Sequence, residues 1–501
     1  MTDKVTTMPD WRPQGGLSIY QGSTVHSSGT SYFLVRSGAE DSKLLAVHGD
    51  TSGFEGTQLG AGEPLLCPLT PAHAAVLRGR LSWLSPVTLG LQTSAGFGDR
   101  LGLATPGHVR AIRRLPAAAK SVAPIFAQQS VRENARTGRT PQQVVDDATW
   151  GLLEEGWRGP WGADADHLKT PAATEDFAAA GYTFFTVDPG DCVDDGAQVA
   201  AFSELEGKVR ALPWDALEDS RQDLETRYLG NSYVVDGPAQ VFDREMLWRA
   251  AAKYGAAVGH AAAMYRHIAS RMANRPFELE VSVDETASTT SLAEHYYIAT
   301  ELRRLGVRWV SLAPRFVGRF EKGVDYVGDL EIFSQEFAQH AALARELGPY
   351  KLSLHSGSDK FSIYSIAARL TTGGSAENPG SLVHLKTAGT SYLEALRTVS
   401  RVDGALFREI LAYARECYEV DRATYHVSAQ LEKVPGAEGL SDAELPDLLE
   451  QFDARQVLHV TFGSVLDRFG EPLRATLRRF EESHYSGLEA HFVRHLTPFV
   501  G

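Results

Sequence analysis

The stretch FELEVSVDE, at residues 277–285, alternates polar and apolar side chains along its length. In an extended strand, one face would carry the polar side chains of Glu278, Glu280, Ser282 and Asp284. The other face would carry the apolar side chains of Leu279, Val281 and Val283. Apolar strand faces pack against helices in a barrel, so the polar face would point into its interior. Carboxylates buried there are costly unless they are paired, protonated or bound to a metal ion. The stretch therefore predicts a barrel strand with ionisable groups on its inner face.

Seven other short apolar runs occur along the chain and alternate with helical patterns. They occupy residues 87–99, 121–130, 159–167, 182–191, 307–316, 350–358 and 381–389. Eight buried strands that alternate with helices predict an α/β fold, a (β/α)8 TIM barrel. The long span between the fourth and fifth runs has a helical pattern, and it predicts a helical insertion at about residues 195–275.

The barrel is expected to occupy residues 86–390, between two flanking regions. Residues 1–85 are rich in Gly, Ser and Thr and contain short alternating runs, which indicate a small β-containing N-terminal cap. Residues 391–501 have mostly helical patterns and predict a C-terminal extension packed on the barrel.

Composition excludes some classes of function. The 501-residue chain has a formal net charge of −14, which argues against a nucleic-acid-binding protein because that function needs a basic surface. The three cysteines are widely spaced and form no CxxC pair, as is typical of a reducing compartment. The chain shows neither a secretory signal pattern nor an apolar run of about 20 residues. We therefore expect a cytoplasmic protein without nucleic-acid or membrane partners, and we leave a homo-oligomer open.

Histidines occur near the ends of three predicted strands. His167 ends the third run, His355 the seventh, and His384 lies in the eighth. Catalytic groups of a barrel lie at the carboxyl ends of its strands. Three imidazoles form a common catalytic metal site, and zinc, nickel, manganese or cobalt would each suit it. No GxGxxG motif joins a strand to a helix, so we expect no nicotinamide cofactor.

Other polar side chains near the strand ends are candidates for binding a substrate. They are Asp99, Arg100, Gln128, Lys169, Arg315, Ser356 and Lys386. The cationic members would form a local positive rim on an acidic protein, which suits a small anionic substrate. The alternative is that each cation only forms salt bridges with neighbouring carboxylates.

Long motifs follow one another in a consistent order. Among them are DADHLKT (164–170), EVSVDET (280–286), LSLHSGSDKFSIY (352–364) and VHLKTAGTSYLEALR (383–397). Together they resemble the tagaturonate/fructuronate epimerase family. The resemblance implies a metal-dependent barrel isomerase of hexuronate catabolism that interconverts D-tagaturonate and D-fructuronate. It also implies that the metal ligands are His167, His355 and His384, and that the catalytic acid–base pair is Asp166 and Glu280. Short motifs around the first two histidines are also similar to those of metal-dependent class II aldolases.

The chemistry of such a reaction narrows the routes. The two keto-uronates differ at the carbinol carbon β to the ketone, where enolisation does not exchange the configuration. Retro-aldol cleavage and re-addition would do so, with a metal ion as Lewis acid and two groups that exchange a proton. The other route left open is metal-assisted acid–base catalysis. The alternatives are a metal-dependent 4-epimerase of a neutral ketohexose such as tagatose or fructose, a class II-type aldolase, and a non-catalytic sugar-acid binding protein.

Overall fold

The computed structural model describes residues 16–38, 42–58, 60–115, 121–233, 240–372 and 382–500. Parts of the predictions lie outside these described residues. They are residues 1–15, 39–41 and 59 of the N-terminal cap, 116–120 and 373–381 of the barrel, 234–239 of the insertion and 501 of the C-terminal extension.

A six-stranded antiparallel sheet forms most of the N-terminal region. Its strands are β1 (Leu17–Ile19), β2 (Val25–Ser27), β3 (Thr30–Ser37), β4 (Ser42–His48), β5 (Thr57–Gln58) and β6 (Leu65–Pro68). The helix Pro71–Arg80 follows. Leu34 of β3 and Leu77 of this helix belong to the same hydrophobic core as the barrel strands. The region is therefore packed onto the barrel.

Eight parallel strands close into a barrel, with the last pairing the first. They are β7 (Ser94–Gly98), β8 (Ala123–Ser130), β9 (Gly162–Leu168), β10 (Phe184–Val187), β13 (Glu278–Ser282), β14 (Ser311–Ala313), β15 (Lys351–Leu354) and β16 (Val383–Thr387). Between β10 and β13 along the chain, β11 (Ser232–Tyr233) and β12 (Gln240–Val241) of the insertion pair as a small antiparallel sheet. Each barrel strand falls on one of the eight predicted runs, so the predicted fold class is confirmed.

Helices follow most barrel strands and cover their outer face. They are Thr105–Arg114, Val131–Thr137, Pro141–Glu155, Pro171–Ala180, Leu292–Arg304, Leu330–Leu347, Phe361–Thr371 and Thr390–Val402. Several begin with a capping box, in which the first residue and the third helical residue satisfy each other's backbone N–H groups. Thr140 with Gln143 and Ser291 with Glu294 are two examples.

The span between β10 and β13 is mostly helical. Its helices are Phe202–Arg210, Trp214–Leu217, Arg221–Tyr228 and Arg244–Met272. The longest of them packs against the barrel helix Leu292–Arg304. Its buried residues, among them Tyr254, Val258 and Ala261, join the main core. The insertion is therefore part of the helical layer around the barrel.

The C-terminal region is also helical. Its helices are Gly404–Asp421, Phe452–Val460, Phe462–Arg479 and Glu481–Leu496. A second hydrophobic core, which includes Leu396, Phe407, Leu458 and Phe469, joins these helices to Thr390–Val402. The last helix packs on Thr105–Arg114. Within the part of the chain that the structure describes, no helix has the length and apolar character needed to cross a membrane.

Candidate active site

A bulge in β9 brings two adjacent residues to the barrel mouth. The pairing of β9 with β10 shifts register between Phe185 and Val187, so that two residues of β9 oppose one of β10. His167 has a φ of 53°, in the left-handed region, which breaks the strict alternation of a strand. Asp166 and His167 consequently both line one cavity. The DADH motif thus places a carboxylate and an imidazole side by side at this cavity.

His167, His355 and Asp284 form a compact group at the ends of β9, β15 and β13. One ligand atom from each lies within 4.8 Å of the others. His355 Nδ1 lies 3.0 Å from Asp284 Oδ1, and the two imidazole rings are 5.0 Å apart between centroids. Two imidazoles and one carboxylate suit a divalent transition metal. The group is therefore a candidate metal centre.

Both histidines have a ring nitrogen held by a buried carboxylate. His167 Nδ1 lies 3.1 Å from Asp188 Oδ2, and His355 Nε2 lies 2.6 Å from Glu280 Oε1. Such partners fix the orientation of metal-binding imidazoles. Burial opposes charge on His355, but Asp284 and Glu280 outweigh it and raise the pKa of His355 to about 10. The surroundings therefore favour a positive charge here, carried by a proton or by a metal cation.

Lys386 connects the carboxylates inside the barrel. Its Nζ lies 2.6 Å from Asp166 Oδ1, 3.0 Å from Asp164 Oδ2 and 2.9 Å from Glu280 Oε1. Burial opposes its charge, but these carboxylates raise the pKa of Lys386. For the carboxyl group of Asp164, burial is what raises the pKa, to about 7. The positive charge of Lys386 is therefore largely neutralised by carboxylates of the protein, so Lys386 is a weak candidate for binding an anionic substrate.

His384 lies apart from the candidate metal centre. Its Nδ1 is 2.8 Å from Ser94 Oγ, and its ring lies 5.2 Å from the Phe184 ring, centroid to centroid. Burial lowers the pKa of His384 to about 3. It precedes Lys386 by two positions on β16, so it occupies the inner-face position one level deeper in the barrel. The structure brings together two of the three predicted histidine ligands and leaves His384 beneath them.

Only some of the predicted substrate-binding residues reach the cavity. Arg100, Ser356 and Lys386 line it. Arg100 already donates to Glu133, with Nη2 2.8 Å from Oε1. Arg315 instead lines a neighbouring cavity, where it donates to the backbone oxygen of Asp284 at 3.0 Å.

The other three predicted substrate-binding residues line neither of these two cavities; they are Asp99, Gln128 and Lys169. The carboxylate of Asp99 accepts backbone N–H groups of its own loop, for example from Ala104 at 2.8 Å. Gln128 is buried in β8. Lys169 Nζ lies 2.6 Å from Asp191 Oδ1 and is partly exposed. Asp99 and Lys169 are thus engaged within the protein.

The cavity is lined by more cations than carboxylates. Its cationic side chains are Arg100, Arg132, Lys322 and Lys386, and its carboxylates are Glu133 and Asp166. Its volume is about 40 Å³, and it shares four lining residues with the neighbouring cavity of about 290 Å³. A sugar-sized molecule therefore has room only across the two together. The balance of lining charges suits an anion.

Sequence reasoning did not assign some of the site residues. Asp188 and Asp284 lie near predicted strand ends, so position alone marks them as candidates. Tyr425 and His459 come from the C-terminal region and line the same cavity. Nothing in the local pattern of that region indicates a contact with the barrel mouth.

These features define the class of the protein. A closed (β/α)8 barrel whose histidines, carboxylates and cations converge on a cavity at the carboxyl ends of its strands is a barrel enzyme. Comparison with known proteins gives the family. The family described as "UxaE: tagaturonate epimerase" matches residues 20–499. The chain belongs to this family.

Individual relatives agree over nearly the whole chain. The chain is 42% identical over 493 residues to the tagaturonate/fructuronate epimerase of Thermotoga maritima, covering 97% of this chain and 98% of that protein. The native crystal structure of fructuronate-tagaturonate epimerase UxaE from Cohnella laeviribosi has a TM-score of 0.89 at 35% identity and covers 97% of both chains. A glycerol complex of the same enzyme has a TM-score of 0.88 at 35% identity, with 96% coverage of both chains.

Proposed function

We propose that this chain is a metal-dependent epimerase that interconverts D-tagaturonate and D-fructuronate. Membership of the family and the names of its relatives support this activity. The observation that carries the proposal is that Asp166, His167 and His355 line one cavity, where Lys and Arg side chains outnumber carboxylates, and that Asp284 completes the histidine group from the neighbouring cavity.

The residues present fit a divalent cation. Five buried or half-buried carboxylates surround the site, namely Asp164, Asp166, Asp188, Glu280 and Asp284. Lys386 directly contacts three of them, so the site carries surplus negative charge. We assign the protein ligands to His167, His355 and Asp284, with His384 as a support beneath. Zinc, nickel, manganese and cobalt all accept this donor set.

Asp166 is the proposed proton acceptor. Burial opposes its ionisation, but Lys386 and His167 hold the pKa of Asp166 well below its usual range. A bound divalent cation would supply Lewis-acid stabilisation of negative charge on the substrate oxygens. Asp166 would take the proton of the β-carbinol hydroxyl as the neighbouring carbon–carbon bond breaks. The bonding electrons stay on the ketone fragment as an enediolate, and the other fragment becomes an aldehyde.

Re-addition to the opposite face of the aldehyde completes the epimerisation. The enediolate carbon re-forms the carbon–carbon bond, and the new alkoxide recovers the proton. Glu280 is the proposed second member of the acid–base pair. It contacts both His355 and Lys386, so it reaches the cavity through these two neighbours. Lys386 links Glu280 to Asp166 and allows the two carboxylates to share a proton.

The test combines metal analysis with NMR of tagaturonate incubated with the purified protein. We expect bound divalent metal, the appearance of fructuronate, and loss of turnover after treatment with a chelator that is reversed by adding metal. Release of two three-carbon products without an epimer would identify an aldolase instead. Turnover of tagatose with a higher kcat/KM than tagaturonate would identify a ketohexose epimerase, and binding without turnover a sugar-acid binding protein.

A further inference from the structure

His459 reaches the active-site cavity from outside the barrel. It lies in the helix Phe452–Val460 of the C-terminal region and lines the cavity. The residue is 2% exposed, and among the described residues its Nδ1 has no hydrogen-bond partner. Buried polar atoms are normally hydrogen-bonded, and exceptions need an explanation. An imidazole that lines the cavity and keeps an unpaired ring nitrogen points to a ligand as its partner.

Two glycines leave room for this ring. A Cβ atom on Gly389 would overlap His459 Nε2. A Cβ atom on Gly323, which has a φ of +73°, would lie 3.2 Å from His459 Cβ. Gly389 follows β16 and Gly323 follows Lys322, so loops from two parts of the barrel both accommodate the imidazole.

The surroundings of the ring are positive. Lys322 Nζ donates to Ser356 Oγ at 2.7 Å and lines the same cavity. Gly389 is also the residue immediately before the helix Thr390–Val402, at its N-terminus. The first N–H groups of a helix lack intrahelical acceptors and attract anions. The buried Thr390 Oγ1 likewise has no hydrogen-bond partner among the described residues.

His459 is a neutral donor in this environment. Burial, together with the charges of Arg100 and Lys322, holds the pKa of His459 well below its usual range. A neutral imidazole keeps one N–H, which can be donated to an oxygen. Lys322 and the helix N-terminus add positive potential at the same place. The combination suits a carboxylate better than a hydroxyl group.

We propose that His459 binds the carboxylate of the keto-hexuronate, together with Lys322 and the N-terminus of the helix Thr390–Val402. The C-terminal region then completes the substrate site and determines the preference for a sugar acid over a neutral ketohexose. This assignment rests on the proposed function, because it concerns the same substrate.

A fixed carboxylate has a use in the proposed reaction. The carboxylate belongs to the aldehyde fragment that forms when the carbon–carbon bond breaks. That fragment must turn its aldehyde group over without leaving. Rotation about the bond next to the aldehyde does this while the carboxylate stays bound. His459 would therefore act on binding and retention of the substrate, and not on the proton transfers.

The first test compares His459→Phe with His459→Gln in the metal-loaded enzyme. We expect the KM for tagaturonate to rise about 10- to 100-fold in the Phe variant, since a hydrogen bond to a charged group is lost. The kcat should stay within about threefold, because Lys322 and the helix N-terminus still hold the fragment and the reacting atoms are untouched. The Gln variant, which keeps an amide N–H, should recover part of the loss. His260→Phe, in the helix Arg244–Met272, is the matched control and should leave both constants unchanged.

The outcomes separate the alternatives. An unchanged KM in both His459 variants overturns the proposal. A fall in kcat at constant KM also overturns it, because it would place His459 at the reacting centre. If the Phe variant does not fold, Lys322→Met gives a second test of the same site, with the same expected rise in KM.

Ligand binding distinguishes failure of this proposal from failure of the proposed function. Thermal shifts with D-gluconate and with the neutral D-glucitol are measured on the wild type and on His459→Gln. We expect the hexonate alone to stabilise the wild type, and to do so less in the variant. If the wild type does not epimerise tagaturonate but shows this pattern, the epimerase proposal fails and the carboxylate site stands. Equal shifts with both compounds, or no shift with either, count against the carboxylate site.

Discussion

Two groups of histidine and aspartate in this molecule have nearly the same composition and different surroundings. One is His167, His355 and Asp284 at the barrel mouth. In the other, His491 and His495 of the C-terminal helix Glu481–Leu496 meet Asp359. In both, the ligand atoms lie within 4.8 Å of one another. Distance between donor atoms alone therefore does not distinguish a metal centre from a structural network.

The two groups differ in the hydrogen bonds and ion pairs that their ligand atoms already form within the protein. In the second group, His495 Nε2 accepts the backbone N–H of Asp359 at 3.0 Å. Asp359 Oδ2 lies 2.9 Å from Arg455 Nη2, so the charge of this carboxylate is already balanced. Burial opposes ionisation of Asp359, but Arg455 and His491 keep its pKa well below the usual range. Around His167 and His355, the five carboxylates outnumber the cations that contact them, Lys386 and Lys169, and both histidines border a cavity. An unbalanced charge beside a cavity is what marks the metal candidate.

The largest expected effect comes from removing a proposed ligand. His167→Ala should abolish metal binding at stoichiometric concentrations and lower kcat by more than about 1,000-fold, because both the Lewis acid and its geometry are lost. Metal content by mass spectrometry and kcat by NMR check this. Full metal content in the variant would remove His167 from the ligand set.

Removing a carboxylate from the acid–base pair should separate chemistry from metal binding. Asp166→Asn is expected to lower kcat by about 100- to 10,000-fold, the usual contribution of a positioned acid or base, with wild-type metal content. Glu280→Gln should do the same if its role is proton exchange. Loss of metal in the Glu280 variant would instead show that its main role is to hold His355.

The carboxylate behind His167 should have an intermediate effect. Asp188→Asn leaves the shape of the side chain but weakens the hold on His167 Nδ1, so metal affinity should fall by about 10- to 100-fold. Titration with a competing chelator measures the affinity, and excess metal should restore most of the kcat. Activity that stays low at saturating metal would indicate a further role for Asp188 in the reaction.

The barrel and the position of most site residues could be predicted because parallel strands leave a strong local signal. The alternation in residues 277–285 predicts an inward row of carboxylates, and the structure places Glu280 and Asp284 there. The level of each residue along the barrel axis was harder to predict. His384 lies one level below the cavity because strand register depends on pairing across the barrel, which the local pattern does not encode.

Contacts between distant parts of the chain could not be predicted from the sequence, for a different reason. His459 and Tyr425 reach the cavity only because the C-terminal helices fold back over the barrel mouth. The same is true of the second histidine group, in which Asp359 is more than a hundred residues away from His491 and His495 along the chain. In both cases the contact depends on packing between distant elements, which the local sequence does not encode.

The smallest effect on the reaction is expected in this second group. His491 Nε2 lies 2.6 Å from Asp359 Oδ1, and its Nδ1 lies 3.2 Å from Glu394 Oε1. His491→Ala leaves both buried carboxylates with one partner fewer, which should cost roughly 1–3 kcal/mol of stability. Metal stoichiometry and kcat should match the wild type, while the thermal midpoint falls. His491→Gln, which restores one N–H donor, is the matched variant and should recover part of the midpoint. If His491→Ala instead loses a bound metal ion at an unchanged kcat, the two groups are both metal sites, and charge balance does not separate them.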